Sequence, residues 1–274
     1  MRLLAPTTGI LAFYDGRDEG RREHDQPNWL DDGALQLGIA SYAIVDGGEA
    51  LVYDTHLSVD RALWIREQLN AARITVVLSH RHIDHIAGTE AFADCEVLAG
   101  PLTAKLLGEQ RAAIEAATPP VKPLVLPTGE VPPTLQVGTT TVQALPFDIH
   151  AADHTLLWLP QRRILLAADA VEDPITFIAE PDRIEAHLRE LDRLEALDPK
   201  IILPAHGDPD VIAAGGYSVG IIEATRVYLT ALLAGDRRPL DELLKGPFNN
   251  GWIHPHPAYE AVHEQNLNAV RSAS

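Results

Sequence analysis

Apolar residues recur along this chain in two rhythms. Short apolar runs bounded by glycine, proline or acidic turns predict strands at 41–45, 50–53, 74–78, 96–98, 139–145, 155–159, 163–168 and 200–204. Longer stretches with apolar positions three and four apart predict amphipathic helices at 60–72, 101–117, 181–197, 216–233, 239–244 and 257–269. Leu63, Trp64, Ile65 and Leu69 carry the first of these, and Pro101 stands near the start of the second, where its missing N–H costs nothing. Asp46-Gly47-Gly48-Glu49 joins the first two runs as a hairpin turn. Residues 14–33 are polar and hold Gly16, Gly20, Pro27 and Gly33, so they predict a long loop. Trp29 inside it is read as a staple that holds the loop down, with a place in a pocket wall as the alternative.

Length and composition narrow the class. A chain of 274 residues, 46% hydrophobic, can bury a full core, and no stretch reads as linker or low complexity. Residues 1–274 are therefore read as one domain, with a loop and strand region at 1–40 and a helical extension at 209–274. A formal charge of −17 excludes a nucleic-acid partner, because binding phosphates depends on clustered Lys and Arg. Cys95 is the one cysteine, which rules out an internal disulfide and fits a reducing cytoplasm. The apolar start is broken by Pro6 and Gly9 and lacks the uninterrupted core of a secretory signal. No run approaches the roughly 20 apolar residues of a membrane helix. The expectation is a soluble, cytoplasmic protein with a small-molecule partner, no membrane partner, and a homodimer left open.

Chemistry concentrates after the run at 74–78. Ser79-His80-Arg81-His82-Ile83-Asp84-His85 offers four potential metal ligands within six positions. If the strand end stays extended, His80, His82 and Asp84 point one way and His85 starts the next element. Imidazole and carboxylate donors without a thiolate favour borderline divalent ions. A plain solvated loop is the weaker reading, since histidines at the end of a buried strand cost desolvation. Further polar residues stand at other predicted strand ends. Asp54-Thr55-His56 follows 50–53, Asp169 follows 163–168, Ala205-His206-Gly207 follows 200–204, and His150 and His154 lie four apart ahead of 155–159. A helix N-cap is the alternative use for Asp169.

His-x-His-x-Asp-His after a strand resembles the signature of the metallo-β-lactamase superfamily, and the likeness runs from about Ser41 to about Asp208. What the resemblance implies is an α+β fold, an αββα sandwich with extra C-terminal helices and a binuclear metal site at one edge. His80, His82 and His150 would hold one ion, Asp84, His85 and His206 the other, and Asp169 would bridge them. The ions are expected to be zinc, with iron or manganese as alternatives. Asp54 stands where the family places a carboxylate that orients the ligands. His56 occupies a place where glycine is common and is read as a surface histidine, with the pocket rim as the alternative. The family's usual Pro-Gly-His-Thr is replaced here by Asp148-Ile149 before His150. That departure leaves His154 as a substitute ligand, a support or a pocket group.

The implied activity is hydrolysis by a metal-bridging hydroxide, with Asp84 orienting the nucleophile and passing its proton on. The substrate is read as a small neutral or hydrophobic ester, lactone, thioester or lactam. Quorum-quenching lactonases carry a tyrosine three residues after the bridging aspartate, where this chain has Glu172, and Glu172-Asp173 would repel an anion if both faced the pocket. Glyoxalase II enzymes use basic C-terminal residues, and this tail offers Arg271 alone. Class B1 β-lactamases carry a cysteine ligand, and Cys95 is in the wrong place. The alternatives are an iron-dependent oxidoreductase resembling persulfide dioxygenases and a non-catalytic metal-binding scaffold. Residues 249–257, with Trp252 and His254, are read either as folding over the site or as a turn that docks the last helix or a dimer partner.

Overall fold

The apolar runs pair into two sheets. Among the described residues, 1–273 of the computed structural model, the first sheet has seven strands in chain order: β1 Arg2–Thr7, β2 Ile10–Asp15, β3 Ile39–Asp46, β4 Glu49–Tyr53, β5 Arg73–Leu78, β6 Glu96–Ala99 and β7 Gly129–Glu130. The second has five: β8 Thr134–Val137, β9 Thr140–Ile149, β10 Ala151–Leu159, β11 Ile164–Ala168 and β12 Ile201–Pro204. Pairing is antiparallel from β1 to β4 and from β8 to β11. It turns parallel from β4 to β7 and between β11 and β12. Parallel neighbours need long crossovers. The helices Val59–Gln68, before β5, and Ile184–Ala196, before β12, supply two of them.

The sheets lie face to face. Tyr42, Leu51 and Val77 from the first meet Leu156, Leu159 and Leu166 from the second in one apolar cluster. Tyrosine hydroxyls tie the layers together, Tyr42 donating to Pro204 O at 2.6 Å and Tyr53 to Thr155 O at 2.6 Å. On the outer face of the first sheet, Val52 and Val76 pack under Ile65 and Leu107 of helices Val59–Gln68 and Pro101–Glu115. Helices Ile184–Ala196 and Gly220–Leu233 pack with the second sheet through Leu191, Leu194, Ile221 and Leu229. The result is the αββα layering, with helices Leu240–Leu243, Lys245–Asn249 and Ala258–Ala273 added after it. Among the described residues, no helix is long and apolar enough to cross a membrane.

Two sequence expectations change. The strand part of 1–40 is a hairpin, β1 with β2, with a register shift between Leu4 and Thr7, and the polar loop after it ends early in a wide helical turn at Leu30–Ala34. Strand β9 runs to Ile149, longer than the apolar run predicts, because Ile149 still pairs with Ala151 of β10 beyond a register shift.

Candidate metal centre

The metal-loop residues do not continue β5. The strand stops at Leu78, His82 takes an extended conformation (ψ 145°), and Ile83–Ile86 turns helical. Alternation therefore fails at Asp84: a helix rotates successive side chains by about 100° instead of 180°. Asp84 and His85, neighbours in sequence, consequently face the same side.

Two ligand groups result. His80, His82, His150 and Asp169 form one and Asp84, His85 and His206 the other, with donor atoms in each group all within 4.8 Å of one another. Asp169 Oδ2 stands between them, 3.6 Å from His80 Nε2, 3.5 Å from His150 Nε2, 3.1 Å from His85 Nε2 and 3.7 Å from His206 Nε2. Asp84 Oδ2 lies 3.2 Å from His206 Nε2. The ends of β5, β11 and β12 deliver His80, Asp169 and His206 to one edge, where parallel strands commonly present ligand sites.

His150 arrives differently. It makes the corner between β9 and β10 with φ +60°, a left-handed conformation that side chains other than Gly, Asn and Asp seldom adopt. Its N–H donates to His187 Nδ1 at 3.3 Å, and His187 Nε2–H donates to Ala170 O at 3.0 Å, so the corner is held from beneath.

These residues fit a pair of cations. His80 Nε2 and Asp169 Oδ1 are buried without a hydrogen-bond partner. His150 Nε2 and His82 Nδ1 approach to 3.1 Å, close for two ring nitrogens unless a proton or a cation lies between them. Burial, then neighbouring histidines, push His80 far below the usual histidine range, which leaves a free lone pair. Burial acts the same way on His206, but the carboxylates of Asp169 and Asp84 outweigh it and raise the ring to about 9. The same carboxylates hold His85 well above its usual range against burial. Asp84 and Asp169 thus favour positive charge between them, and dications suit this nitrogen and oxygen donor set.

Carboxylate relays fix the rings. Asp54 accepts from Ser79 N at 2.7 Å, from the Ser79 hydroxyl at 2.7 Å and from His85 Nδ1 at 2.8 Å. The Ser79 oxygen then accepts from His80 Nδ1 at 2.9 Å. Glu172 does the same for His150. His150 Nδ1–H donates to Thr176 Oγ1 at 3.2 Å, and the Thr176 hydroxyl donates to Glu172 Oε1 at 2.9 Å. His206 Nδ1 donates to Gly38 O at 2.6 Å. Each outward Nδ1–H leaves Nε2 for the centre.

Over the two ligand groups lies a cavity of about 370 Å³. Trp29, Leu37, Ile83, Phe177, Ala261 and Val262 give it apolar walls, and neither Lys nor Arg is among its lining residues. Trp29 meets both expectations, for its Nε1–H donates to Pro119 O at 3.0 Å while its ring lines the cavity. The wall from Ala258, Ala261, Val262 and Gln265 escaped the sequence pattern because small residues at helical spacing read as core. Their spacing of three and four was the available signal.

Several expected pocket groups lie elsewhere. His154 packs behind His80 at 4.6 Å between ring centroids and bonds Ile149 O at 2.9 Å, outside the cavity lining. His56 is no surface residue but is fully buried, bonding Phe13 O at 3.2 Å. Residues 249–257 do not fold over the site. Trp252 packs on Gly220, and His254 donates to Asp173, whose own N–H donates to His206 O at 3.1 Å. Asp173 therefore turns away from the cavity and braces the His206 turn, while Glu172 does face the cavity.

Residues 35–206 match a family model described as the metallo-beta-lactamase superfamily. No curated protein sequence matches. Among solved structures, DIM-1 metallo-beta-lactamase exposed to ceftazidime aligns with a TM-score of 0.62 at 19% identity, over 84% of this chain and 96% of that one. A metallo-beta-lactamase from Pontibacter korlensis gives 0.63 at 17%, over 84% and 98%. Another from Hirschia baltica gives 0.61 at 16%, over 84% and 97%. At such identities the likeness extends to the fold.

Proposed function

Given that the chain belongs to the metallo-β-lactamase superfamily, we propose that it is a hydrolase that holds two divalent cations, zinc foremost, and cleaves a small neutral or hydrophobic ester, lactone, thioester or lactam. The observation that carries this reading is Asp169 Oδ2, which lies within 3.7 Å of ring nitrogens from both ligand groups at the floor of a cavity with neither Lys nor Arg among its described lining residues. When bound, such cations supply a water that ionises near neutral pH and a Lewis acid for a carbonyl oxygen. The protein's own residues do the rest. His80, His82 and His150 would hold one cation and Asp84, His85 and His206 the other. Asp84, with its side chain 17% exposed and the most open of the carboxylates at the centre, is placed to orient an attacking water and accept its proton. Asp54, through Ser79, and Glu172, through Thr176, keep the rings turned so that their Nε2 atoms point inward. The apolar walls exclude bulk water from the reacting carbonyl, which strengthens every charge interaction at the floor.

The deciding experiment is Asp169→Ala and His82→Ala beside the unaltered protein, with metal content and turnover measured on a panel of lactones, thioesters, aryl esters and β-lactams. Both variants should lose metal and turnover together. A fully active Asp169→Ala protein would overturn the reading, and iron in protein purified without added metal would favour the oxidoreductase.

A further inference from the structure

Arg17 belongs to the polar stretch that the sequence presents as plain loop, yet it is half-buried and its bonds reach the segments behind the metal centre. Its N–H donates to Leu35 O at 2.8 Å, Nε to Leu37 O at 2.7 Å and Nη2 to Asp173 O at 2.6 Å. The same segments carry His206. Gly38, next to Leu37, accepts from His206 Nδ1 at 2.6 Å, and the Asp173 N–H donates to His206 O at 3.1 Å. The ring and the backbone of this one ligand therefore rest on two separate pieces of chain, and a single guanidinium spans both.

Packing leaves the arrangement little freedom. Arg17 has a left-handed φ of +55°, which a long side chain seldom adopts and which persists where neighbours hold it. A Cβ at Gly38 would collide with the Tyr14 hydroxyl and with Arg17 Cγ, so glycine is needed for the close approach. The Tyr259 ring centre lies 5.6 Å from the guanidinium carbon. The Asp173 carboxylate is taken by the Tyr217 hydroxyl and by His254. Arg17 thus acts as a double donor to backbone carbonyls and not as the partner of a carboxylate.

We propose that Arg17 is a positioning residue for the second ligand group: by gripping Leu37 O and Asp173 O at once, it sets where His206 Nε2 stands beside Asp84 and Asp169. The inference rests on the reading of this site as a two-cation centre and adds to it a residue from outside. Arginine's planar fork holds its N–H groups in fixed directions, whereas a lysine ammonium is a compact charge on a flexible stem. Without the fork the Leu37-Gly38 and Asp173 segments are free to part, and His206 moves with them. His80 and His150 keep their own supports at Ser79 and Thr176.

Metal uptake tests this apart from turnover. The unaltered protein, Arg17→Met and Arg17→Lys are titrated with zinc against a chromophoric chelator, and His206→Ala marks the step that belongs to the ion at Asp84, His85 and His206. Arg17→Met should weaken that step about tenfold or more and leave the step of the ion at His80, His82 and His150 within about threefold. Arg17→Lys should weaken the same step nearly as much, since one ammonium cannot hold both carbonyls in place. A role confined to fold stability lowers Tm and either spares both steps or weakens both alike. Each of those results overturns the proposal, as does full restoration by lysine. Should Arg17→Met not fold, the two steps in Arg17→Lys decide on the same terms. Two bound ions with no turnover on any substrate would count against the hydrolytic reading and leave the proposal standing, whereas fewer than two zinc steps in the unaltered protein overturns both.

Discussion

Replacing Ser79 by alanine removes one hydroxyl that serves two histidines unequally. In the native arrangement the hydroxyl donates to Asp54 Oδ2 and accepts from His80 Nδ1, and all three residues are buried. His85 reaches Asp54 directly, and the Ser79 backbone N–H still donates to Asp54 Oδ1 after the change. The loss therefore falls on His80. A buried N–H without an acceptor costs about 1 to 3 kcal/mol, and the carboxylate loses one charge-assisted bond besides. The sum is roughly 3 kcal/mol, a fall in Tm of about 6 to 12 °C for a chain of this size. Removing such an outer partner of a ligand histidine typically weakens metal binding by about 10- to 100-fold. Here the weakening should concentrate on the ion held by His80, His82 and His150, while the ion at Asp84, His85 and His206 stays. Competition with a chromophoric zinc chelator resolves the two stoichiometric steps, and a thermal melt of the chelated protein gives the stability change. Metal affinities within about threefold of the unaltered protein at both steps, or equal weakening of both, would refute the relay.

Three further outcomes follow from the packing and the charges. At Gly88 an added Cβ would meet Thr55 O at 2.1 Å, Ala62 Cβ at 2.5 Å and Ser58 O at 2.8 Å, and the two backbone oxygens cannot swing aside. Gly88→Ala should cost about 3 kcal/mol or more, and a melt within about 2 °C of the unaltered protein would contradict this. His56 is buried, which lowers it to about 3 from an ordinary 6.5, so its contribution to stability is complete above pH 6.5 and shrinks as pH falls toward 3. His56→Asn tolerates the left-handed φ of +68° and does not titrate, so urea midpoints of its chelated form should fall less steeply between pH 6.5 and 4, by about 1 kcal/mol per pH unit. Ala261→Phe should fill the cavity and raise KM for a medium-chain ester about tenfold or more, with metal content unchanged, as kinetics and metal analysis would show.

The residues of the two ligand groups were legible because they cluster in the loops after strands or at a strand corner, and apolar runs mark strand ends. Their division followed from the family resemblance, whereas strand alternation alone left it only partly legible. Alternation predicted Asp84 beside His80 and His82, whereas the helical turn at Ile83–Ile86 carries it to the side of His85 and His206. The left-handed corner at His150 was invisible, since the position holds neither the glycine nor the asparagine that such a conformation favours. Burial of His56 and the opposite facing of Glu172 and Asp173 depend on side-chain direction, which adjacent letters do not encode. The polar, aromatic tract at 249–257 drew attention through its composition, yet the wall belongs to the plainer helix after it.

That helix, Ala258–Ala273, touches the cavity through Ala258, Ala261, Val262 and Gln265 and, among the described residues, adds none to either ligand group. The cavity wall is thus shared between this late helix and the earlier residues Trp29, Leu37, Ile83 and Phe177, whereas both ligand groups come wholly from the chain before it. A substitution on that helix can reshape the cavity while leaving both ligand groups as they are.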